Sequence, residues 1–430
     1  MNWFKTKKII KLAWRNLLRN RRRTLITLSF IVLGVMAMGI ARGYFVQTIH
    51  GLQEIAIRSG FAGAMGSGHF IIRDARLDEM DEQYALQFGL DKVPDLVAKV
   101  SAIDGFDYAL PRTVFGGLAS NGDLSIPFKG YGVDPEVEGR LRDGLRDMAD
   151  RAENLSLGEE IAKLNSAVNG VILGQGLADK LHLNIGDGLM LIGTTVDGAV
   201  NAVDVELVST ISTGSNEVDE IFLIVEKNTV SALLNSTRTS EISIMTKDRS
   251  YIPAFQRELS QAVGAAQKDR EISVVRWEDN GVYYQAIRDL FSFMFGFLET
   301  IITIIVLISC WNVVNMSTME RVSEIGTMRA IGLKMKDITT MFLYEGAILG
   351  FVSVLIGFAL QLAVVYLINN AGIEMPPVPG GNQGFVLKVR YLTDFHIQIG
   401  GIIFLGVLAS YFASFFSIKK LTITEALNHV

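Results

Sequence analysis

The chain has 430 residues, 49% of them hydrophobic and 20% charged, with only 8 prolines and a mean hydropathy of +0.32. That apolar content without a strict repeat excludes a disordered or fibrous chain, and the net charge of −5 leaves no basic excess for a nucleic-acid binder. One cysteine, Cys310, excludes an intrachain disulfide framework and a Cys-rich zinc site, and five scattered histidines argue against a His-built one.

Residues 1–23 hold nine basic residues and no acid. Within them, residues 7–22 predict an amphipathic helix with Ile10, Ala13, Trp14, Leu17 and Leu18 on one face and Lys7, Lys11, Arg15, Arg19 and Arg22 on the other. Such a helix suits a lipid headgroup layer, either as a working elbow or simply as a positive flank that fixes orientation. The first membrane span is expected at 24–46. A cleaved signal peptide fits poorly, because the basic region and the apolar run are both too long.

The block 47–288 carries the extramembrane mass. Between Arg42 and Asp289 it holds 37 acids and 23 bases, a local charge of −14. Strands are expected over 68–73, 125–131, 171–173, 189–192, 203–212, 221–225 and 242–246, and helices over 90–100, 136–151, 176–181, 230–234 and 254–265. The pattern reads as α+β. Gly60, Gly63, Gly66 and Gly68 follow no strand and lack the lysine of a phosphate loop, so they read as a flexible segment. No nucleotide-binding, nucleophile-elbow or zinc-protease motif is present. No catalytic residue, metal ligand or cofactor site is therefore expected in this chain.

Three more spans are expected at 289–319, 339–369 and 397–418, each about the 20 residues a bilayer requires or longer. Lysine and arginine bias places both termini (1–23 and 419–430) and the loop 320–338 in the cytoplasm, with 47–288 and the loop 370–396 outside. Glu299 and Glu345 are costly in lipid. Glu299 is read either as lining a cavity for a lipophilic substrate or as merely reaching the surface, and Glu345 as pairing with a basic residue of the 320–338 loop. Gly39 and Gly43 in the first span and Gly346 and Gly350 in the third have the spacing that lets helices approach closely. The segment Met375-Pro376-Pro377-Val378-Pro379-Gly380-Gly381 reads as rigid and turn-rich, without packed secondary structure.

The loop running from Met319 to Gly332 alternates its charges around an apolar stripe of Val322, Ile325 and Met328, and Gly326 and Gly332 allow breaks. A short amphipathic segment between spans suits docking into a groove on a cytoplasmic partner.

Its residues Glu320-Arg321, Glu324-Ile325-Gly326, Arg329-Ala330 and Gly332 resemble the coupling-helix signature E-R-x-x-E-I-G-x-x-R-A-x-G of the four-span permeases of the MacB, FtsX and lipoprotein-releasing (LolC/LolE) type. The N-terminal Ala13…Asn16-Leu17 with Arg23-Thr24 resembles that family's opening. Gly132-Val133-Asp134-Pro135 and Gly174…Leu177-Ala178…Leu181…Gly186-Asp187 resemble elements of the MacB-type periplasmic core, and the tail 421–427 resembles the usual ending without its preceding proline. The resemblance implies a bacterial inner-membrane protein of four spans with a MacB-type periplasmic core. It further implies a homodimer, or a heterodimer with a related permease, driven by a separate ABC ATPase that binds the ATP. Glu320, Arg321, Glu324, Ile325, Gly326, Met328, Arg329 and Gly332 would form the ATPase contact, with Glu324 and Arg329 polar and Ile325 and Met328 as apolar anchors. The function implied is extraction or export of a hydrophobic cargo, lipoprotein release with a periplasmic carrier foremost. Peptide or drug efflux, mechanical signalling to a cell-wall hydrolase, and peptide sensing remain alternatives.

Overall fold

The computed structural model describes residues 2–19, 21–60, 65–78, 86–143, 157–266, 271–280, 282–376 and 385–418. The chain divides into two compact units, one of residues 1–48, 289–373 and 387–430, the other of 49–288 with 374–386. It opens with helix α1 (Asn2–Arg19) and helix α2 (Arg21–Glu54), the latter running on into a π-helical turn at Ile55–Ser59.

The second unit then runs β1 (Phe70–Asp74), α3 (Val93–Ser101), β2 (Phe106–Ser120), β3 (Ser125–Val133), α4 (Pro135–Asp143), α5 (Leu157–Ala162) and β4 (Gly170–Gly174). It continues with α6 (Gln175–Lys180), β5 (Gly188–Thr194), β6 (Val200–Ile211), α7 (Asn216–Asp219), β7 (Phe222–Glu226) and α8 (Lys227–Leu234). It ends with β8 (Glu241–Thr246), α9 (Ile252–Ala266), β9 (Ile272–Arg276) and α10 (Trp277–Asn280). The strands pair in the order β3-β7-β4-β6-β5-β2-β8-β1-β9, and β2 pairs with β3 as well. That last pairing closes β2, β3, β7, β4, β6 and β5 into a ring, which leaves those strands no free edge.

The 15-residue β2 belongs to two assemblies. Its residues Phe106–Arg112 pair with β8 in a four-stranded antiparallel sheet, and Thr113–Ser120 pair with β3. The four-stranded sheet packs Phe70, Ile72, Ile242 and Ile244 against Leu96 of α3 and Phe255 and Leu259 of α9. The ring buries Phe115, Phe128, Leu173, Leu191, Leu207 and Leu223. Full burial of one such side chain contributes about 1.5–3 kcal/mol, and the alternation along β5 puts Leu189 and Leu191 inside while Met190 faces out.

Two turns here account for the sequence elements noted above. The Asp134 carboxylate accepts from the amides of Glu136 (3.0 Å) and Val137 (3.4 Å), so Asp134 caps α4 with Pro135 at its first position. Gly186 sits at φ +97, and the Asp187 carboxylate accepts from Asn184 N (2.7 Å).

The glycine-rich segment differs from expectation. Ser67 N and Gly68 N donate to the carbonyls of Ala56 and Ile57, and a Cβ at Gly66 would lie 2.3 Å from Arg58 C. Gly66 and Gly68 are therefore packed backbone against backbone, and glycine is there for close approach, not flexibility. Strands β2 and β9 were not expected. Gly63, residues 144–151 of the predicted helix over 136–151, residues 377–384 and the tail motif at 421–427 lie outside the described residues. Where the 370–396 loop is described, it does contain paired structure: β10 (Glu374–Met375) against β11 (Phe385–Val386).

The first unit is helical. Besides α1 and α2 it holds α11 (Val282–Met319), α12 (Val322–Ala330), α13 (Met335–Asn370) and α14 (Thr393–Ile418). Helices α2, α11, α13 and α14 are long and apolar enough to cross a membrane. Glycines set their spacing. A Cβ on Gly39 would lie 2.2 Å from Gln361 Oε1 of α13, and one on Gly346 would lie 2.7 Å from Tyr411 of α14. Gly43 abuts Val389 and Arg390, and Gly350 abuts Phe404 and Val407, so all four glycines predicted as packing positions sit at close contacts. Gln361 is fully buried, and its Oε1 lies 2.6 Å from His396 Nε2.

Candidate functional site

The connection between α11 and α13 is a short helix held in place from within. At its base Arg321, only 8% exposed, directs Nη1 at the Glu345 carboxylate, 2.9 Å from Oε2 and 3.3 Å from Oε1. Asn16 of α1 donates its amide to Glu345 Oε1 at 2.7 Å, and Phe342 lies under the Arg321 guanidinium with its centroid 6.0 Å away. One carboxylate of α13 thus ties together α1, the connection and a membrane-length helix. The predicted pairing of Glu345 with a basic residue of the loop is what the structure contains.

Two exposed ion pairs flank this buried one. Glu324 accepts two bonds from Arg19 Nη2, at 2.7 and 2.8 Å, and Glu320 pairs with Arg23. Exposed pairs are worth little individually, about 0–1 kcal/mol, and can exchange partners.

Four of the residues assigned to a partner contact lie wholly or partly inside the chain's own bundle. Arg321 is an internal brace buried against Glu345. Ile325 is fully buried and packs in the bundle core with Val322, Ile338 and Phe342. The apolar stripe is real, but it faces the chain's own bundle. Met328 is partly buried against the same core. Gly326 lies inside an unbroken helix and makes no break. Glu324 and Arg329 stay at the surface or partly so, with Glu324 already paired to Arg19.

Gly332 does end the helix. It sits at φ +93, its N–H donates to Arg329 O (3.1 Å), and the Leu333 N–H reaches back to Met328 O (3.1 Å). This pair of bonds is a Schellman cap, which needs a left-handed residue at that position and favours glycine. The cap turns Ile331 (74% exposed) and Leu333 (41% exposed) outward. These two apolar side chains at the tip went unnoticed in the sequence. The signal that could have found them is the helix-stop glycine itself, since hydrophobic residues on either side of a cap lie off the helical stripe.

The face of α1 also divides. Ala13 and Leu17 are buried, whereas Leu12, Trp14 and Leu18 are each about half exposed. Glu299, read either as lining a substrate cavity or as reaching the surface, lies 3.6 Å from Arg42 of α2, and Arg42 also stacks over Phe45 and Phe395. The Arg42 charge offsets part of the cost of an acid in this apolar helix, while Glu299 Oε1 makes no hydrogen bond among the described residues.

Comparisons with known proteins place this arrangement. The FtsX-like permease C-terminal family matches residues 296–426, which span α12 and its brace. Over that stretch the chain carries an FtsX-like permease domain, and the relatives it matches are named as ABC transporter permeases, MacB and LolC. An uncharacterized ABC transporter permease of Methanocaldococcus jannaschii is 22% identical over 412 residues, covering 94% of each chain. The lipoprotein-releasing system transmembrane protein LolC of Haemophilus influenzae is 23% identical over 80% of this chain and 81% of that protein. The macrolide export protein MacB of Hyphomonas neptunium is 22% identical over 86% of this chain, which spans 55% of that protein's length. Among solved structures, the periplasmic region of MacB from Actinobacillus actinomycetemcomitans aligns with 49% of this chain and 88% of that one, at 12% identity and a TM-score of 0.34. An ABC permease works with an ATPase, and permease subunits of this family are in general not catalytic.

Proposed function

We propose that this permease is driven by a separate cytoplasmic ABC ATPase seated on the tip formed by Ile331, Gly332 and Leu333, and that its cargo is a lipoprotein released from the membrane. The observation that carries the reading is the combination at the α11–α13 connection. An internally braced helix ends in two exposed apolar side chains, and the same connection carries the exposed, exchangeable pairs Arg19–Glu324 and Arg23–Glu320. An interface core of this kind is apolar with a polar rim. The buried Arg321–Glu345 pair would pass a push on the tip directly to α13 and, through Asn16, to α1.

The positive flank of α1 supports placing this end of the bundle in the cytoplasm, with the sheet-rich unit in the periplasm. Lipoprotein release is the cargo reading supported by the likeness to a LolC, which covers 80% of this chain and 81% of that protein; the likeness to a MacB covers 86% of this chain, and efflux is the second reading. The working unit is a dimer, either of two copies or with a related permease. The test replaces Ile331 and Leu333 by aspartate. Membrane insertion should be kept, while recruitment of the ATPase and its permease-stimulated hydrolysis fall by about tenfold or more. Unchanged recruitment in the double variant would overturn the assignment of the tip.

A further inference from the structure

The sheet-rich unit contains a polar cavity of about 370 Å³ that the transport reading does not use. Its walls come from separated parts of the chain: Arg58 from the π-helical turn, His69 ahead of β1, Tyr108 on β2, Arg140 on α4, and Lys247 and Arg249 after β8. Three acids also line it, but each is already engaged. Glu54 accepts from Arg58 Nε (2.8 Å) and pairs with Arg249. Asp107 accepts from Arg140 Nη2 (2.5 Å), and Asp248 accepts from the amide of Ser250 (2.8 Å).

The donors are not all engaged. His69 is 5% exposed, and its Nδ1 accepts from the amide of Thr246 (3.2 Å) with the Thr246 hydroxyl 2.8 Å away. An N–H donor at Nδ1 assigns the ring proton to Nε2. Nε2 has no hydrogen-bond partner among the described residues, and neither has Lys247 Nζ nor the Tyr108 hydroxyl. A nine-tenths-buried ring presenting an unused N–H to a cavity leaves a polar group unsatisfied unless something occupies the space. Burial and the neighbouring Arg249 hold the His69 pKa down at about 4, so the ring serves near neutrality as a neutral donor.

With each acid already bonded and an ammonium, an imidazole N–H and a phenol O–H left over, the lining has donors to spare. The free donors come from separate elements of the fold and stand beside three guanidinium groups, a set that suits a group with several acceptor oxygens, such as phosphate. The volume is within the range of small-molecule sites and exceeds what a single small ion fills.

We propose that this cavity binds a phosphate-bearing ligand, with His69 Nε2–H, Lys247 Nζ and the Tyr108 hydroxyl as its direct donors, in a lining whose four cations (Arg58, Arg140, Lys247 and Arg249) outnumber its three carboxylates. The proposal is independent of the cargo and of the ATPase contact. The ligand is either a soluble phosphate ester or a phospholipid headgroup, and both present the same group to these donors.

The full chain, purified in detergent, is tested with two probes: radiolabelled inorganic phosphate and short-chain dihexanoyl phosphatidylglycerol below its micellar concentration. Saturable one-to-one binding of either probe is expected. It should weaken about tenfold in Lys247→Ala, an exposed position whose loss does not threaten folding, and in His69→Phe. Lys99→Ala, on the remote face of α3, should bind as the wild type does. Phosphate binding, with the lipid competing weakly, identifies a soluble ester; lipid binding without phosphate binding identifies a headgroup. If neither probe saturates, or if Lys247→Ala binds as tightly as Lys99→Ala, the site is refuted.

Discussion

Glu345→Ala is the most informative substitution in the helical unit. The carboxylate is 2% exposed and is the shared acceptor for Arg321 and Asn16, and Arg321 is itself 8% exposed. Removing it leaves a buried guanidinium without its counter-charge and an amide without an acceptor. Breaking a buried pair in this way costs about 3–5 kcal/mol, which for a unit of this size lowers the unfolding midpoint on the order of 10 °C. The assay is thermal loss of the monodisperse size-exclusion peak in a fixed detergent. The control is the double variant Arg321→Met with Glu345→Leu, which exchanges the ion pair for apolar volume and should recover most of the loss, because a well-packed apolar replacement of a buried pair is close to neutral. A drop of under about 1 kcal/mol in the single variant, or no recovery in the double one, would show that the pair does not brace the connection.

Three further outcomes are expected. Gly39→Val forces a side chain into the space of Gln361 and should destabilise by about 1–3 kcal/mol, read by the same peak assay; an unchanged midpoint would contradict the packing of α2 on α13. Gly332→Ala places a side chain at φ +93 at a cost of about 1 kcal/mol, so it should weaken ATPase stimulation while leaving expression normal, and full stimulation would disconnect the cap from coupling. His69, with its pKa down at about 4 from an ordinary 6.5, contributes stability that is complete above about pH 6.5 and lost as pH falls toward 4, up to about 3 kcal/mol. His69→Gln should therefore lose less stability than the wild type between pH 7 and pH 4.5, and parallel curves would refute the linkage.

The four membrane-length helices were legible because each is a long apolar run, and the GxxxG glycines were legible because close helix approach leaves a spacing in the sequence. The Arg321–Glu345 pair was legible for a different reason: one acid in an apolar helix demands a partner, and the adjoining loop supplied the nearest cations. Strand β2 was missed. Pro111 and the Gly116-Gly117 pair interrupt its β-forming pattern, yet a Cβ on Gly117 would lie 2.1 Å from Ile192 O, so the glycine is required by the neighbouring strand. Strand β9 is five residues flanked by charge on both sides, and it gains its identity only by pairing with β1.

The burial of Ile325 has a simple physical source. A stripe at helical spacing says that one face is buried, and it does not say against what. Here the chain's own bundle covers that face, and the exposed apolar residues lie at the cap, where no periodicity marks them.

The central claim is tested most directly by purifying the C-terminally tagged chain from its native membranes in mild detergent and identifying what stays bound. The account predicts an ABC ATPase in stoichiometric amount, lost when Ile331 and Leu333 are both aspartate, together with a lipoprotein retained when hydrolysis is blocked. Recovery of the intact, folded permease without any ATPase would contradict it.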